Sequence, residues 1–270
     1  MRRRAVILVV YINQDLKFAG VSHQNPYKQK TVMKFVNNFK SKIKIRTKYV
    51  PAGIKILYED RDIIVINKRS GLLSVKTNYE AEKTAHHLLT NYVRKGNPKS
   101  KIKLFVVHRL DRDTSGVLIF AKSYSIREKF TAQWEQVEKK YVAVVHGTLA
   151  EKSGILESFL AEGDDYKMRS VENPKDGVFA RTQYKVIKAS KNYSLLEIQL
   201  LTGKKNQIRV HLSDKGHPIV GDKKYSKGAK GRLALHALSI RFNHPFTNEK
   251  MTFETEMPDY FLTFFNRSDN

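Results

Sequence analysis

His108-Arg109-Leu110-Asp111-Arg112-Asp113-Thr114-Ser115-Gly116 gathers an imidazole, two guanidiniums, two carboxylates and two hydroxyls into nine residues. Leu104-Phe105-Val106-Val107 before it and Val117-Leu118-Ile119-Phe120-Ala121 after it both read as short apolar strands. The segment is therefore a dense polar loop between two strands, a setting in which reactive side chains commonly stand. Composition by itself leaves a second reading open, a solvated turn whose charges pair with one another at little net energy.

Working outward, Ile54, Ile56 and Leu57 lead into the acidic turn Glu59-Asp60-Arg61-Asp62, and the β-branched run Ile63-Ile64-Val65-Ile66 predicts a buried strand. Helical spacing of Ala81, Ala85, Leu88, Leu89, Tyr92 and Val93 predicts a helix over 80–95, stopped by Gly96-Asn97-Pro98. A second helix is expected over 125–138. The rest reads as strands at 141–146, 155–160, 180–188, 193–201, 233–242 and 250–256, interrupted by a short helix over 206–215. Strands in series with helices inserted singly predict an α+β domain with a mixed, largely antiparallel sheet and flanking helices.

The chain has 270 residues, with Lys and Arg at 50 against Asp and Glu at 26, a formal charge of +24. Residues 1–50 hold twelve Lys and Arg and one acid, Asp15, and lack clear periodicity. We read 1–50 as a basic N-terminal extension of unknown fold, ahead of a domain spanning 51–270. Within the extension, Arg2-Arg3-Arg4 followed by the apolar run Ala5 to Ile12 imitates a secretory leader. Asn13, Gln14 and Asp15 stand where a small-residue cleavage site belongs, so the run reads as a buried strand or an overextended start. No stretch approaches about 18 apolar residues, which excludes a spanning helix. Cysteine is absent, which excludes disulfides, cysteine nucleophiles and Cys-ligated zinc, and fits a cytoplasmic setting. The charge favours a polyanion, nucleic acid before anionic membrane.

Several chemistries fail on spacing. A kinase loop runs His-Arg-Asp-Leu, whereas here Leu110 precedes Asp111 and no Asp-Phe-Gly occurs. An aspartic protease needs a second carboxylate motif to match Asp113-Thr114-Ser115-Gly116, and none is present. Gly216 to Gly221 is spaced like a phosphate loop, but Asp222-Lys223 replaces its Lys-Ser/Thr pair. The histidines show no compact metal-ligand spacing.

The 108–116 segment, Lys140-Tyr141-Val142-Ala143-Val144-Val145-His146-Gly147, and Leu201-Thr202-Gly203-Lys204-Lys205-Asn206-Gln207-Ile208-Arg209-Val210-His211-Leu212 together resemble the RluA-like pseudouridine synthases. Tyr58–Lys68, Gly216–Asp222, Leu235-His236-Ala237 and His244-Pro245 agree in order and spacing, so the resemblance covers about 51–262. Lys204 and Asn206 stand where the family often has Arg and His, and Arg69 stands where proline is common. Residues 1–50 do not resemble the S4-type RNA-binding domain that many members carry first.

The resemblance implies a pseudouridine synthase fold with a central cleft and isomerisation of uridine within rRNA or tRNA. No cofactor, membrane or obligate protein partner is implied. It places the reactive carboxylate at Asp111, its guanidinium partner at Arg209 in two-pronged geometry, and the active-site tyrosine at Tyr141, whose ring stacks on the base and whose hydroxyl handles the C5 proton. Arg109 would fill the stack vacated by the everted base, Arg112, Lys204 and Lys205 would face phosphates, and Ile208 would pack against the site. Thr114 and Ser115 fit bracing the loop as well as touching RNA. A non-catalytic RNA-binding protein with the same fold is the alternative. A peripheral membrane protein docking through 1–50 ranks last, for want of an amphipathic pattern.

Overall fold

Two apolar runs organise the centre of the molecule. The computed structural model describes residues 9–10 and 50–266. In chain order its elements are β1 (Val9–Val10), β2 (Ile54–Glu59), β3 (Ile63–Lys68), α1 (Ala85–Val93), β4 (Phe105–Val106), β5 (Ser115–Ala121), α2 (Tyr124–Ala132) and β6 (Glu138–His146). There follow β7 (Ser153–Glu162), β8 (Met168–Val171), β9 (Val178–Ala189), β10 (Tyr193–Leu200), α3 (Gln207–Asp214), β11 (Leu235–Asn243) and β12 (Lys250–Glu254). β3 and β5 pair antiparallel from Ile63 opposite Ala121 to Lys68 opposite Gly116. Successive residues alternate faces. Ile64, Ile66, Leu118 and Phe120 therefore enter one core with Ala85 and Leu89 of α1, and Ile63, Val65, Val117 and Ile119 enter another with Ile126 and Phe130 of α2. Burial on both faces explains why the runs 63–66 and 117–121 are apolar throughout rather than alternating.

The strands form one mixed sheet in the order β2-β3-β5-β11-β6-β10-β9-β7-β8, with β12 beside β11, β1 beside β12, and β4 beside β5. Every pairing is antiparallel except β5 with β11 and β1 with β12. The expected α+β class and largely antiparallel sheet are what the structure shows. The parallel contact of β5 with β11 is short, Ser115 opposite His236 and Gly116 opposite Ala237, and forms the seam between the two halves of the sheet. Gly116 takes φ +116°, and a Cβ there would lie 2.1 Å from the Ala237 carbonyl oxygen, so this crossing requires glycine. A buried chain ties the seam together: Ser115 Oγ lies 2.8 Å from His236 Nδ1, and His236 Nε2 lies 2.8 Å from Thr255 Oγ1. Ser115 is thus a brace rather than a surface contact.

Several boundaries differ from expectation for local reasons. The helix expected over 80–95 starts at Ala85, because Glu80 accepts the backbone N–H groups of Glu82 and Lys83 in a turn, and Thr84 Oγ1 caps His87 N. The helix expected over 125–138 stops at Ala132. The chain passes through a 3-10 turn at Trp134–Gln136 so that Glu138 to Lys140 can pair with Ser239 to Arg241 of β11. β8 was not foreseen; of its four residues Met168 alone is buried, leaving no alternation to read. Of the apolar run Ala5 to Ile12, Val9–Val10 is a strand against Phe253 and Glu254, and the rest of 1–49 lies outside the described residues. Among the described residues no helix is long and apolar enough to cross a membrane.

Burial, reinforced by the Arg232 charge, pushes the His236 pKa down from 6.5 to about 4. Between those values the unfolded chain binds a proton that the folded chain refuses, so stability falls with acidification through this window. Urea titrations of the wild type and His236→Asn should show the wild type losing about 2–3 kcal/mol more than the variant between pH 7 and pH 4.5. Equal losses in the two proteins would remove His236 as the cause.

Candidate active site

The loop 108–114 is pinned before it can present anything. Ser74 Oγ donates to the Leu110 carbonyl at 2.6 Å and accepts the Leu110 N–H at 3.0 Å. Lys68, fully buried, donates to the carbonyl oxygens of Arg69 (3.1 Å), Leu72 (2.7 Å) and Arg112 (3.1 Å). Gly71 N–H donates to the same Arg112 carbonyl at 2.9 Å. Burial pushes the Lys68 pKa down to about 7, against the pull of the Asp111 and Asp113 charges. His108 Nε2 accepts the Ile119 N–H at 3.1 Å, and burial, then the Lys139 charge, pushes its pKa to about 3. The imidazole is neutral at pH 7 and occupied by the strand, which makes it a brace of the loop.

On the opposite wall, α3 is fastened by Gln207. Its Oε1 accepts from Lys204 N–H (2.9 Å) and Thr202 Oγ1 (2.8 Å), and its Nε2 donates to the Arg181 carbonyl (2.8 Å) and Thr182 Oγ1 (2.9 Å). Asn206, just before α3, takes φ +52°, which aims its side chain into the cleft rather than onto the helix N–H groups. Arg209 projects from the first turn.

The two walls meet at Arg209. Its Nη1 donates to Asp111 Oδ2 at 3.0 Å, while Nε and Nη2 fork onto Asp222 Oδ2 and Oδ1 at 2.8 and 2.7 Å. The expected two-pronged grip therefore falls on Asp222, and Asp111 receives one N–H. The reason is burial: the Asp222 side chain is 0% exposed and that of Asp111 29%, so the carboxylate cut off from water takes the fork. Asn206 Nδ2 supplies the second donor to Asp111 Oδ2, at 2.7 Å, so both donors hold one oxygen. Asp111 Oδ1 has no hydrogen-bond partner among the described residues. Tyr225 steadies the group, its hydroxyl donating to Asn206 Oδ1 at 3.3 Å and its ring lying 5.1 Å from the Arg209 guanidinium carbon. Burial works against the charge on Arg209, but hydrogen bonds and charge from Asp222, then from Asp111, outweigh it and drive its pKa upward.

Asp111, Asn206 and Arg209 line a cleft of about 550 Å³ at the seam of the sheet. Tyr141, on β6 opposite Ala237, is almost fully buried on its wall, and burial together with the Asp111 charge raises its pKa. It is a neutral phenol at pH 7. Ile208 is likewise a buried wall residue. Arg109 is exposed at the rim, and Lys204 is exposed beside it without a side-chain partner among the described residues. Arg112 and Lys205 also line the cleft, but Arg112 forks onto Asp113 and Lys205 pairs with Glu162. Sequence reasoning missed Lys68, Asn206 and Tyr225 as members of this network, and it missed the grip of Asp222 on Arg209. Asp222 was legible as the last residue of the family-like block Gly216–Asp222 but without a role; it follows Gly221, whose φ of +75° and close approach to the Arg232 carbonyl exclude a Cβ.

The RNA pseudouridylate synthase family model matches residues 62–214. The chain is 33% identical over 213 residues to the uncharacterized RNA pseudouridine synthase YjbO of Bacillus subtilis, covering 77% of this chain and 74% of that one. It is 36% identical over 230 residues to ribosomal large subunit pseudouridine synthase C of Buchnera aphidicola, covering 78% and 69%. It is 31% identical over 241 residues to tRNA pseudouridine synthase C of Vibrio parahaemolyticus, covering 80% and 96%. Among solved structures, human RNA pseudouridylate synthase domain containing 4 superposes with a TM-score of 0.63 at 25% identity, covering 87% of this chain and 95% of that one.

The unequal burial of the two carboxylates separates their contributions to stability. Asp222→Asn leaves the Arg209 guanidinium short of its buried counter-charge and should cost about 3–5 kcal/mol in urea unfolding. Asp111→Asn removes a partly solvated charge and should change stability by less than about 1 kcal/mol. Similar losses in both variants would contradict this division.

Proposed function

The chain belongs to the RNA pseudouridylate synthase family and is RluA-like, and from that premise we propose that it isomerises uridine to pseudouridine in RNA at the Asp111 cleft. The reaction breaks the N1–C1′ bond, forms a C5–C1′ bond, and exchanges a proton on C5 for one on N1. Its balance contains no oxidant, hydrolytic water or group donor, so no cofactor is required. The single observation that carries the reading is the state of Asp111, a carboxylate with both donors on Oδ2 and Oδ1 unengaged, on the wall of a cleft wide enough for a nucleoside.

In this reading Arg209 and Asn206 fix the orientation of the carboxylate, and Oδ1 acts on the nucleoside, by covalent addition or by assisting departure of the base. Tyr141 offers its ring to the uracil and its O–H as a donor; before it takes the C5 proton it must first give up its own. A stacked uridine is out of reach, so the nucleotide is everted at a cost of a few kcal/mol, with Arg109 placed at the rim to occupy the gap. The charge of +24 supplies salt-sensitive affinity that offsets this cost. The relatives named for ribosomal and transfer RNA point to one of these as substrate. Their RNA and the absence of cysteine support action in the cytoplasm.

The decisive measurement is tritium release from RNA labelled with 5-tritiated uridine, taken from cells lacking this gene. The wild type should release tritium, and Asp111→Asn should release none while keeping salt-sensitive RNA binding. A wild type that binds RNA but releases no tritium would replace this reading with that of a non-catalytic RNA-binding protein. Asn206→Ala removes one hydrogen bond to a charged group, so kcat should fall by about 10- to 100-fold with little change in KM. A change confined to KM would mean that Asn206 binds substrate instead of aligning Asp111.

A further inference from the structure

Lys139 has no part in the site as described. It lies on β6 two residues before Tyr141, so the two side chains leave the same face of the strand with backbones about 7 Å apart. The residue is 8% exposed, which is rare for lysine without a counter-charge. Among the described residues it makes no ion pair and no hydrogen bond; its ammonium sits 5.1 Å from the centre of the Trp134 ring. No fully buried polar side-chain atom lacks a partner among those residues, so the ammonium keeps a window on solvent. Lys139 is also one of the residues that line the cleft.

The other buried or paired cations of the cleft are accounted for, while Lys76, Arg109 and Lys204 line it as exposed, solvated charges. Lys68 gives its protons to three backbone carbonyls, Arg209 is held by two carboxylates, and Arg112 and Lys205 face Asp113 and Glu162. Around Lys139 stand the Trp134 ring and His108, which carries no charge at neutral pH. Burial lowers the pKa of Lys139, and no carboxylate raises it again. A partly desolvated charge without a counter-ion costs the free protein some stability, and a bound anion would reduce that cost.

We propose that Lys139 is a phosphate-recognition residue of the cleft, pairing with a phosphodiester of the RNA at or next to the everted uridine. This rests on the reading of the cleft as a uridine site. Uracil is uncharged at neutral pH, so the anions such a substrate brings are its phosphates. The dry wall of Trp134 makes the pairing stronger than one at the exposed rim. Lys139 thereby does at depth what the resemblance assigned to Lys204, Lys205 and Arg112 at the surface.

The test compares the wild type, Lys139→Met and Lys139→Arg in tritium release from labelled RNA across a potassium chloride series, together with thermal unfolding of each free protein. Lys139→Met should lose about 10- to 100-fold in kcat/KM at 0.1 M salt, with a log–log salt slope shallower by about 0.7–0.9, the value for one phosphate contact. Lys139→Arg should keep the slope. Free Lys139→Met should melt at or above the wild-type temperature. A wild-type slope in Lys139→Met would overturn the proposal, and so would a large drop in its melting temperature, which marks a structural lysine. If the wild type itself releases no tritium, the isomerase reading is what fails. The same slope, measured for binding of a fluorescein-labelled oligouridylate, then decides the role of Lys139.

Discussion

A guanidinium removed from water must be answered by charge, and in this protein two carboxylates answer the same one. Arg209, 11% exposed, gives two of its donors to Asp222 and a third to Asp111. These residues come from the first turn of α3, the turn after Gly221, and the loop before β5. The pairing therefore joins three separate parts of the chain at the sheet seam. Gln207 satisfies its whole amide against β9 and its own turn, which fixes the helix that carries Arg209. The buried fork on Asp222 holds the arginine, and the arginine with Asn206 holds one oxygen of Asp111. Geometry is imposed from the dry side of the site toward the wet side, and the carboxylate left with an open lone pair is the one that water can reach.

The basic character of the chain divides in the same way. Among the described residues most lysines and arginines are exposed and contribute a diffuse field, strong at low salt and screened beyond about 8–10 Å at physiological ionic strength. Pairs such as Arg112 with Asp113 add little stability, because both partners are largely solvated. Two buried lysines differ from this population and from each other. Lys68 is enclosed by carbonyl oxygens and stiffens the loop that carries Asp111. Lys139 is enclosed by an aromatic ring and lacks a counter-ion among the described residues. Burial lowers the pKa of both, yet hydrogen bonding makes one a structural post and leaves the other open to an incoming anion.

The strands that could be read directly were those whose burial is uniform or strictly alternating. The central runs 63–66 of β3 and 117–121 of β5 are covered on both faces by α1 and α2, so they are apolar throughout and the pattern was plain. β8 was invisible because it packs through Met168 alone. The ends of α1 and α2 were misplaced because side chains decided them: Glu80 and Thr84 draw backbone N–H groups into a turn, and the pull of β11 on Glu138 ends a segment whose local spacing would continue as helix. At the site, Asp111, Tyr141 and Arg209 could be named from ordered blocks of sequence, and the structure places all three on one cleft. Asn206 was noted only as a departure. Its amide matters through a left-handed backbone that puts it opposite Asp111, 95 positions away in the chain.

The residue string by itself determined the class of fold, the position of the polar loop between two strands, and the polyanion the surface prefers, since these follow from periodicity and charge, which are local or additive. Which carboxylate takes the arginine fork, which cations are neutralised, and which oxygen of Asp111 remains open were decided only by the folded chain. Each depends on how much water reaches an atom and on what lies opposite it across the sheet seam, and neither quantity exists until distant segments pack together.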